Sequence, residues 1–166
     1  MQPLEELSTE LGAVLQAKSW QLALAESCTG GMVSQAVTAI AGSSAWFDRG
    51  FVTYSNAAKE AMLAVPATLI ADHGAVSEQV AQAMASGALQ HSLAQVSGAI
   101  TGIAGPGGGT AQKPVGMVCF GWAIRERDQL KIIVETQYFV GNRAEIREQA
   151  ASYLLAGLVK LVKTTG

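Results

Sequence analysis

Leu4, Leu7, Leu11 and Leu15 return every three to four positions, which predicts an amphipathic helix over residues 4 to 18. The run "QLALA" that follows has no polar break and reads as a short buried strand. Gly30 and Gly31 then lead into "MVSQAVTAI", helical in spacing and ended by "AGSS". "WFDRGFVTYS" is aromatic and β-branched, a strand pattern. "NAAKEAMLAV" reads as a helix stopped by Pro66, and "PATLIADHG" as a short helix closed by Gly74. Ser77 followed by Glu78 suits a helix start, after which Val80, Met84 and Gly87 share one apolar or small face. "VSGAITGIAG" is a strand that runs into the glycine loop "PGGGTAQKP". "VGMVCFGWAI" and "LKIIVETQYFV" flank the charged turn "RERDQ" and predict a hairpin. In the last helix, "NRAEIREQAASYLLAGLVKLV", Asn142 and Glu145 have the spacing of a capping box.

Strands alternating with helices predict an α/β protein, a three-layer α/β/α sandwich. The hairpin near the end makes the sheet mixed, mostly parallel. No internal repeat or linker divides residues 1 to 166, so a single domain is expected. Apolar residues make up 49% of the chain and charged residues only 14%, which points to a sheet buried on both faces and to a homo-oligomer. No apolar run approaches the roughly 20 residues that span a bilayer. The first residues are acidic, without the basic opening of a signal peptide, so the cytoplasm is the expected location. A net charge of -2 without a basic block argues against nucleic acid as the partner. Cys28 and Cys119 fit a reducing compartment. With only His73 and His91 beside them and no Cys-x-x-Cys pair, no metal site is expected.

In open sheets of this kind, ligands sit beyond the carboxyl ends of the strands. Those ends here are "ESCTGG", "TYSN" and "TGIAGPGGG". A serine between strand and helix can present its hydroxyl where backbone N–H groups and a helix N-terminus favour negative charge. The same Ser27, or Thr29, can equally be a helix cap. Cys28 is a rival nucleophile that lacks a nearby histidine or cation and also reads as a packing residue. A serine nucleophile needs a base, and a lysine serves when its pKa falls. Lys59, on the helix opening at Asn56, can lean back toward Ser55 and Tyr54, and Tyr54 can share its proton network. A solvated lysine and a core tyrosine remain the alternative. The five glycines of "TGIAGPGGG" let backbone approach a ligand, although neither a P-loop nor a Rossmann fingerprint is present. Arg143, at the start of the last helix, can hold a phosphate together with that helix's N–H groups, or can equally be a solvated arginine.

Together, "AESCTGG", "AGSSAWFDRGFVTYSNAAK", "HGAVSE", "TGIAGPGGG" and "KPVGMV" occur in the order and spacing of the CinA C-terminal family, which the chain resembles over essentially its whole length. The resemblance implies a cofactor-free Ser/Lys amidohydrolase that converts nicotinamide mononucleotide to the acid and ammonia, with that small nucleotide as its partner. It makes Ser27 the nucleophile, Lys59 the general base and Tyr54 its assistant. It sets Ser55, Asn56, Thr101, Gly102, Ala104 and Gly105 against the substrate, with Arg143 on the phosphate and Arg147 as its rival. The backbone at Thr29, Gly30 and Gly31 is expected to hold the oxyanion. Some relatives carry an additional N-terminal nucleotide-hydrolysing domain, for which this chain has no room. Two other functions fit the same residues: a non-catalytic nucleotide-binding or regulatory module, and an amidase for a different small amide.

Overall fold

The leucine stripe becomes a helix with the predicted bounds. In a computed structural model describing residues 1–166, α1 (Leu4–Lys18) buries Leu7, Leu11 and Leu15 completely or nearly so. Burying each such leucine contributes about 1.5–3 kcal/mol. The chain continues through β1 (Leu22–Glu26), α2 (Met32–Thr38), β2 (Phe47–Val52), α3 (Asn56–Leu63), α4 (Ala67–His73), α5 (Glu78–Gln90), β3 (Val96–Gly102), β4 (Met117–Glu126), β5 (Gln129–Tyr138) and α6 (Arg143–Thr164). The sheet order is β2-β1-β3-β4-β5. β1 pairs in parallel with β2 and β3, and β4 runs antiparallel to both β3 and β5. Four strands therefore point one way and β4 alone runs against them, in a mixed sheet.

Side-chain size alternates along β1 and separates the two faces. Leu22 and Leu24 enter the larger core with α1, α2 and α6, where Phe120, Trp122 and Tyr153 meet. Ala23 and Ala25 face the other way, toward α5 and the last residue of α3. Small residues on that face let the helices lie close to the sheet. One contact is closer still. A Cβ built on Gly87 of α5 would lie 2.2 Å from the carbonyl oxygen of Leu63, so α5 meets the end of α3 backbone to backbone.

Polar residues close the helix ends much as their spacing predicts. The Ser55 hydroxyl accepts the Ala58 N–H and the Ser77 hydroxyl accepts that of Val80. Asn142 and Glu145 form the reciprocal capping box, both bonds at 2.9 Å. The helix after Gly31 is shorter than its apolar spacing suggests. It ends at Thr38, and a single 3-10 turn at Ser43–Ala45 seats Trp46 in the core against Gly12. The hairpin turn tightens to Arg127 and Asp128, both at positive φ (52° and 65°), without the usual Asn-Gly pair. No helix is long and apolar enough to cross a membrane.

Candidate active site

The corner after β1 is built around a residue that the sequence pattern hides. Glu26, the last residue of β1, is fully buried. Its Oε1 accepts the Thr29 hydroxyl at 2.7 Å and the Val33 N–H at 2.9 Å. Its Oε2 accepts the Ser34 N–H at 2.9 Å and the Ser34 hydroxyl at 2.7 Å. The carboxylate thus satisfies the start of α2, where free N–H groups would otherwise be buried. Gly31, at φ 108°, takes the cap position with no side-chain bond of its own. Neither Ser27 nor Thr29 caps the helix, and the Ser27 hydroxyl is left to face a cleft.

That cleft, about 290 Å³, opens at the carboxyl ends of β1 and β3. Ser27, Cys28 and Lys59 line it, together with Tyr54, Asn56 and Arg143. Lys59 is only 1% exposed, yet no carboxylate pairs with it, since the ion pairs are Arg49–Asp48 and Lys163–Glu10. Its Nζ donates to the Thr53 carbonyl at 3.1 Å and lies 3.0 Å from Ser27 Oγ. Desolvation disfavours the ammonium and holds the Lys59 pKa below its ordinary 10.5. A neutral amine offers a lone pair, and at that distance the Ser27 proton can be passed to it. The neighbouring thiol moves the other way. Burial pushes Cys28 up to about 11, which keeps it protonated and a poor nucleophile at neutral pH.

The other candidates divide between the cleft and its scaffolding. The Thr101 hydroxyl donates to the Ala75 carbonyl at 2.8 Å and forms wall rather than a free contact. Gly102, Ala104 and Gly105 line the cleft as expected. The absence of a side chain at Gly102 serves packing, since a Cβ there would sit 2.8 Å from Val118 and 3.2 Å from the Cys28 sulfur. Tyr54 is 60% exposed and makes no bond to Lys59. Instead its hydroxyl accepts from Arg143 at 3.0 Å, and Arg143 also donates to the Gly105 carbonyl at 2.7 Å. Thr29, Gly30 and Gly31 lie outside the lining, and Ser55 is occupied as the cap of α3. Arg147 does not face the cleft; it donates to the carbonyls of Cys28 and Thr29, each at 3.0 Å. Ala75, Val76, Ile103, Gly107 and Gly108 complete the walls without having been singled out in advance. The only hint of Ala75 and Val76 in the sequence was the loop "HGAVSE" before α5.

A larger cleft of about 380 Å³ lies between β5 and α6, lined by Trp122, Ile133, Tyr153 and Leu161 among others. Its polar lining is Lys160 and the Tyr153 hydroxyl, which donates to Glu135 at 2.5 Å, with no serine or cysteine among the walls. The chain matches the CinA C-terminal domain family over residues 4–162. It is 53% identical over 152 residues to "Nicotinamide-nucleotide amidohydrolase PncC" of Enterobacter agglomerans, covering 92% of this chain and 91% of that protein. It is 48% identical over 155 residues to the protein of the same name from Escherichia coli strain K12, covering 93% and 92%. Among solved structures, the competence damage-inducible protein A (ComA) of Klebsiella pneumoniae superposes with a TM-score of 0.92 at 37% identity, covering 99% of this chain and 100% of that one.

Proposed function

The chain belongs to the CinA C-terminal domain family, and from that premise we propose that it is a nicotinamide-nucleotide amidase using a Ser27–Lys59 acyl-transfer mechanism. The observation that carries the mechanism is the buried, carboxylate-free Lys59 amine 3.0 Å from the Ser27 hydroxyl on the cleft floor. The carboxamide substrate is taken from the relatives named for that reaction.

The chemistry runs in two half-reactions. Ser27 Oγ bonds to the carboxamide carbon while its proton passes to Lys59 Nζ. The tetrahedral adduct then collapses, its C–N bond breaks, and the proton on Nζ goes to the leaving nitrogen, which departs as ammonia. In the second half Lys59 takes a proton from water, and the hydroxide attacks the acyl-serine. The C–Oγ bond breaks, the proton returns to Oγ, and the carboxylic acid is released. The Thr53 carbonyl fixes one amine N–H and so aims the lone pair at Ser27. Arg143 opens α6 at the cleft rim, where its charge and the first N–H groups of the helix suit a 5′-phosphate.

The test is ammonia release from nicotinamide mononucleotide without added metal. Wild type and Cys28→Ala should turn over and Ser27→Ala should not; the reverse would move the nucleophile to the thiol. Nicotinamide and its riboside should be poorer substrates than the mononucleotide. Equal or better turnover of the unphosphorylated compounds would remove Arg143 from phosphate recognition and point to a different amide.

A further inference from the structure

We infer that β5 is the docking strand for a second copy of this chain, paired antiparallel with its own equivalent about a twofold axis through Ile133. The inference is independent of the reaction proposed above. The sheet has two edges, and only one of them is guarded. β2, at one edge, is six residues long, carries Asp48 and Arg49, and has a register shift in its pairing with β1. Short, charged and irregular edges resist further pairing. β5, at the other edge, runs for ten residues in unbroken register with β4 and contains neither proline nor glycine. Seven residues of β4 are buried, whereas none of β5 is. Leu130, Ile133 and Tyr138 are exposed, and α6 leaves a groove beside Ile133 instead of covering it. A long, regular, apolar edge is a template for another strand.

The residues of β5 say which strand that is. Arg127 and Asp128 make a two-residue turn, so Gln129 exchanges main-chain bonds with Glu126 and every second residue after it does the same with β4. The N–H and C=O groups of Leu130, Ile132, Val134 and Thr136 therefore point away from the sheet. An antiparallel copy centred on Ile133 sets Ile132 against the partner's Val134 and Leu130 against the partner's Thr136, so outward main chains meet outward main chains. In the same register Ile133 meets the partner's Ile133, and Lys131 meets the partner's Glu135. Symmetry repeats that charge pair, and both copies fall at non-hydrogen-bonded positions, where side chains are closest. Lys131 has no ion pair within its own chain, and Glu135 has only the Tyr153 hydroxyl on Oε2. Other registers that keep the main-chain match fail on charge. Centring on Lys131 or Glu135 sets like charges face to face, and centring on Ile132 or Val134 leaves Lys131 against an isoleucine or a glutamine. The twofold operation closes on itself, so assembly stops at two. Antiparallel pairing also turns the two clefts to opposite ends of the joined sheet, so each cleft is made by one chain.

Sedimentation velocity across the micromolar range reads the association, and circular dichroism checks that each variant is folded. Wild type should be a dimer. Lys131→Glu or Glu135→Lys sets like charges opposite one another twice and should weaken the dimer at least about tenfold. The double variant Lys131→Glu/Glu135→Lys restores opposite charges and should return to within about threefold of wild type. Under mild oxidation Ile133→Cys should form an intermolecular disulfide, because residues facing each other in such a pair lie about 4.5 Å apart at Cα, whereas Ile132→Cys should not. Cys28 and Cys119 are buried and do not compete. Should the charge variants fail to fold, the disulfide decides. A monomeric wild type overturns the inference and leaves the edge to an extended segment of another protein. A dimer that ignores both single charge variants, or that cross-links through Ile132→Cys and not Ile133→Cys, overturns it as well. Ammonia release per chain should be the same in a monomeric charge variant as in wild type; its loss on dissociation would overturn the placement of the clefts at opposite ends.

Discussion

Glu26 and Lys59 are both buried and both adjoin Ser27, but their surroundings are opposites. Glu26 has four protein donors, all between 2.7 and 2.9 Å, supplied by Thr29, Val33 and Ser34. Lys59 has the Thr53 carbonyl at 3.1 Å, the Ser27 hydroxyl at 3.0 Å and no counter-charge. A buried charge with all its partners fixes local structure, whereas one without them is driven toward its neutral form. The acid is therefore a structural part of the corner, whereas burial lowers the Lys59 pKa by disfavouring its ammonium. Burial alone would have ranked the two residues together; the count of partners separates them.

Lys59→Met breaks the contrast most sharply. It should lower kcat/KM by at least the 10²–10⁴-fold typical of general-base loss. Thermal unfolding at neutral pH should nevertheless rise, by about 1–2 kcal/mol, since a poorly compensated buried amine gives way to an apolar chain of similar length. A variant that is both inactive and less stable would make Lys59 a structural residue after all. Glu26→Ala should show the reverse balance. It strands the donors at the start of α2 and should cost about 3 kcal/mol in urea unfolding, with Glu26→Gln costing less. The pH dependence of any remaining activity in Glu26→Gln should keep its position, and a displaced profile would show that the two groups are coupled.

The pH profile sharpens the comparison without substitution. Under the proposed mechanism the neutral amine is the active form, so kcat/KM should rise with pH and level off below 10.5, the ordinary lysine value. A rise only near or above that value would show that the ammonium persists. Stability follows the same sign. Below the lowered folded pKa the native state carries the full penalty of a buried ammonium. Between that pKa and the ordinary one the unfolded chain binds more protons, so stability gains with rising pH. The advantage of Lys59→Met over wild type should therefore shrink as pH increases across this window. The smallest effect is expected for Thr29→Val, which removes one of the four bonds to Glu26 and should cost about 1 kcal/mol with little change in kcat.

The sequence made the local features plain and left the long-range ones hidden. The leucine period defines α1, and Ser55, Ser77 and the Asn142–Glu145 box mark helix starts within three residues of the groups they bond. The strand ends bring Ser27 and Lys59 together because β1 and β2 are parallel neighbours, a pairing that alternation of strands and helices implies. Glu26 was missed because its partners on α2 lie seven and eight positions away, beyond the reach of capping patterns. Arg143 meets Tyr54 across 89 residues and Arg147 meets Cys28 across 119, contacts that exist only once α6 is docked. The expected Tyr54–Lys59 network failed for the same reason, since a distant arginine claims the phenol first. The hairpin turn at Arg127 and Asp128 gave no signal, because neither residue advertises its left-handed backbone.

Gly87 on α5 has no atom in the cleft, yet Lys59 depends on it. The eight residues of α3 are too few to hold their own orientation, and the helix is moored where its final carbonyl rests against the bare Cα of Gly87. A single methyl group there would lever α3 outward and carry the amine out of line with the Ser27 hydroxyl, 3.0 Å away. Drift at such a mooring point would let descendants of this chain retune or silence their activity while every residue lining the cleft kept its identity.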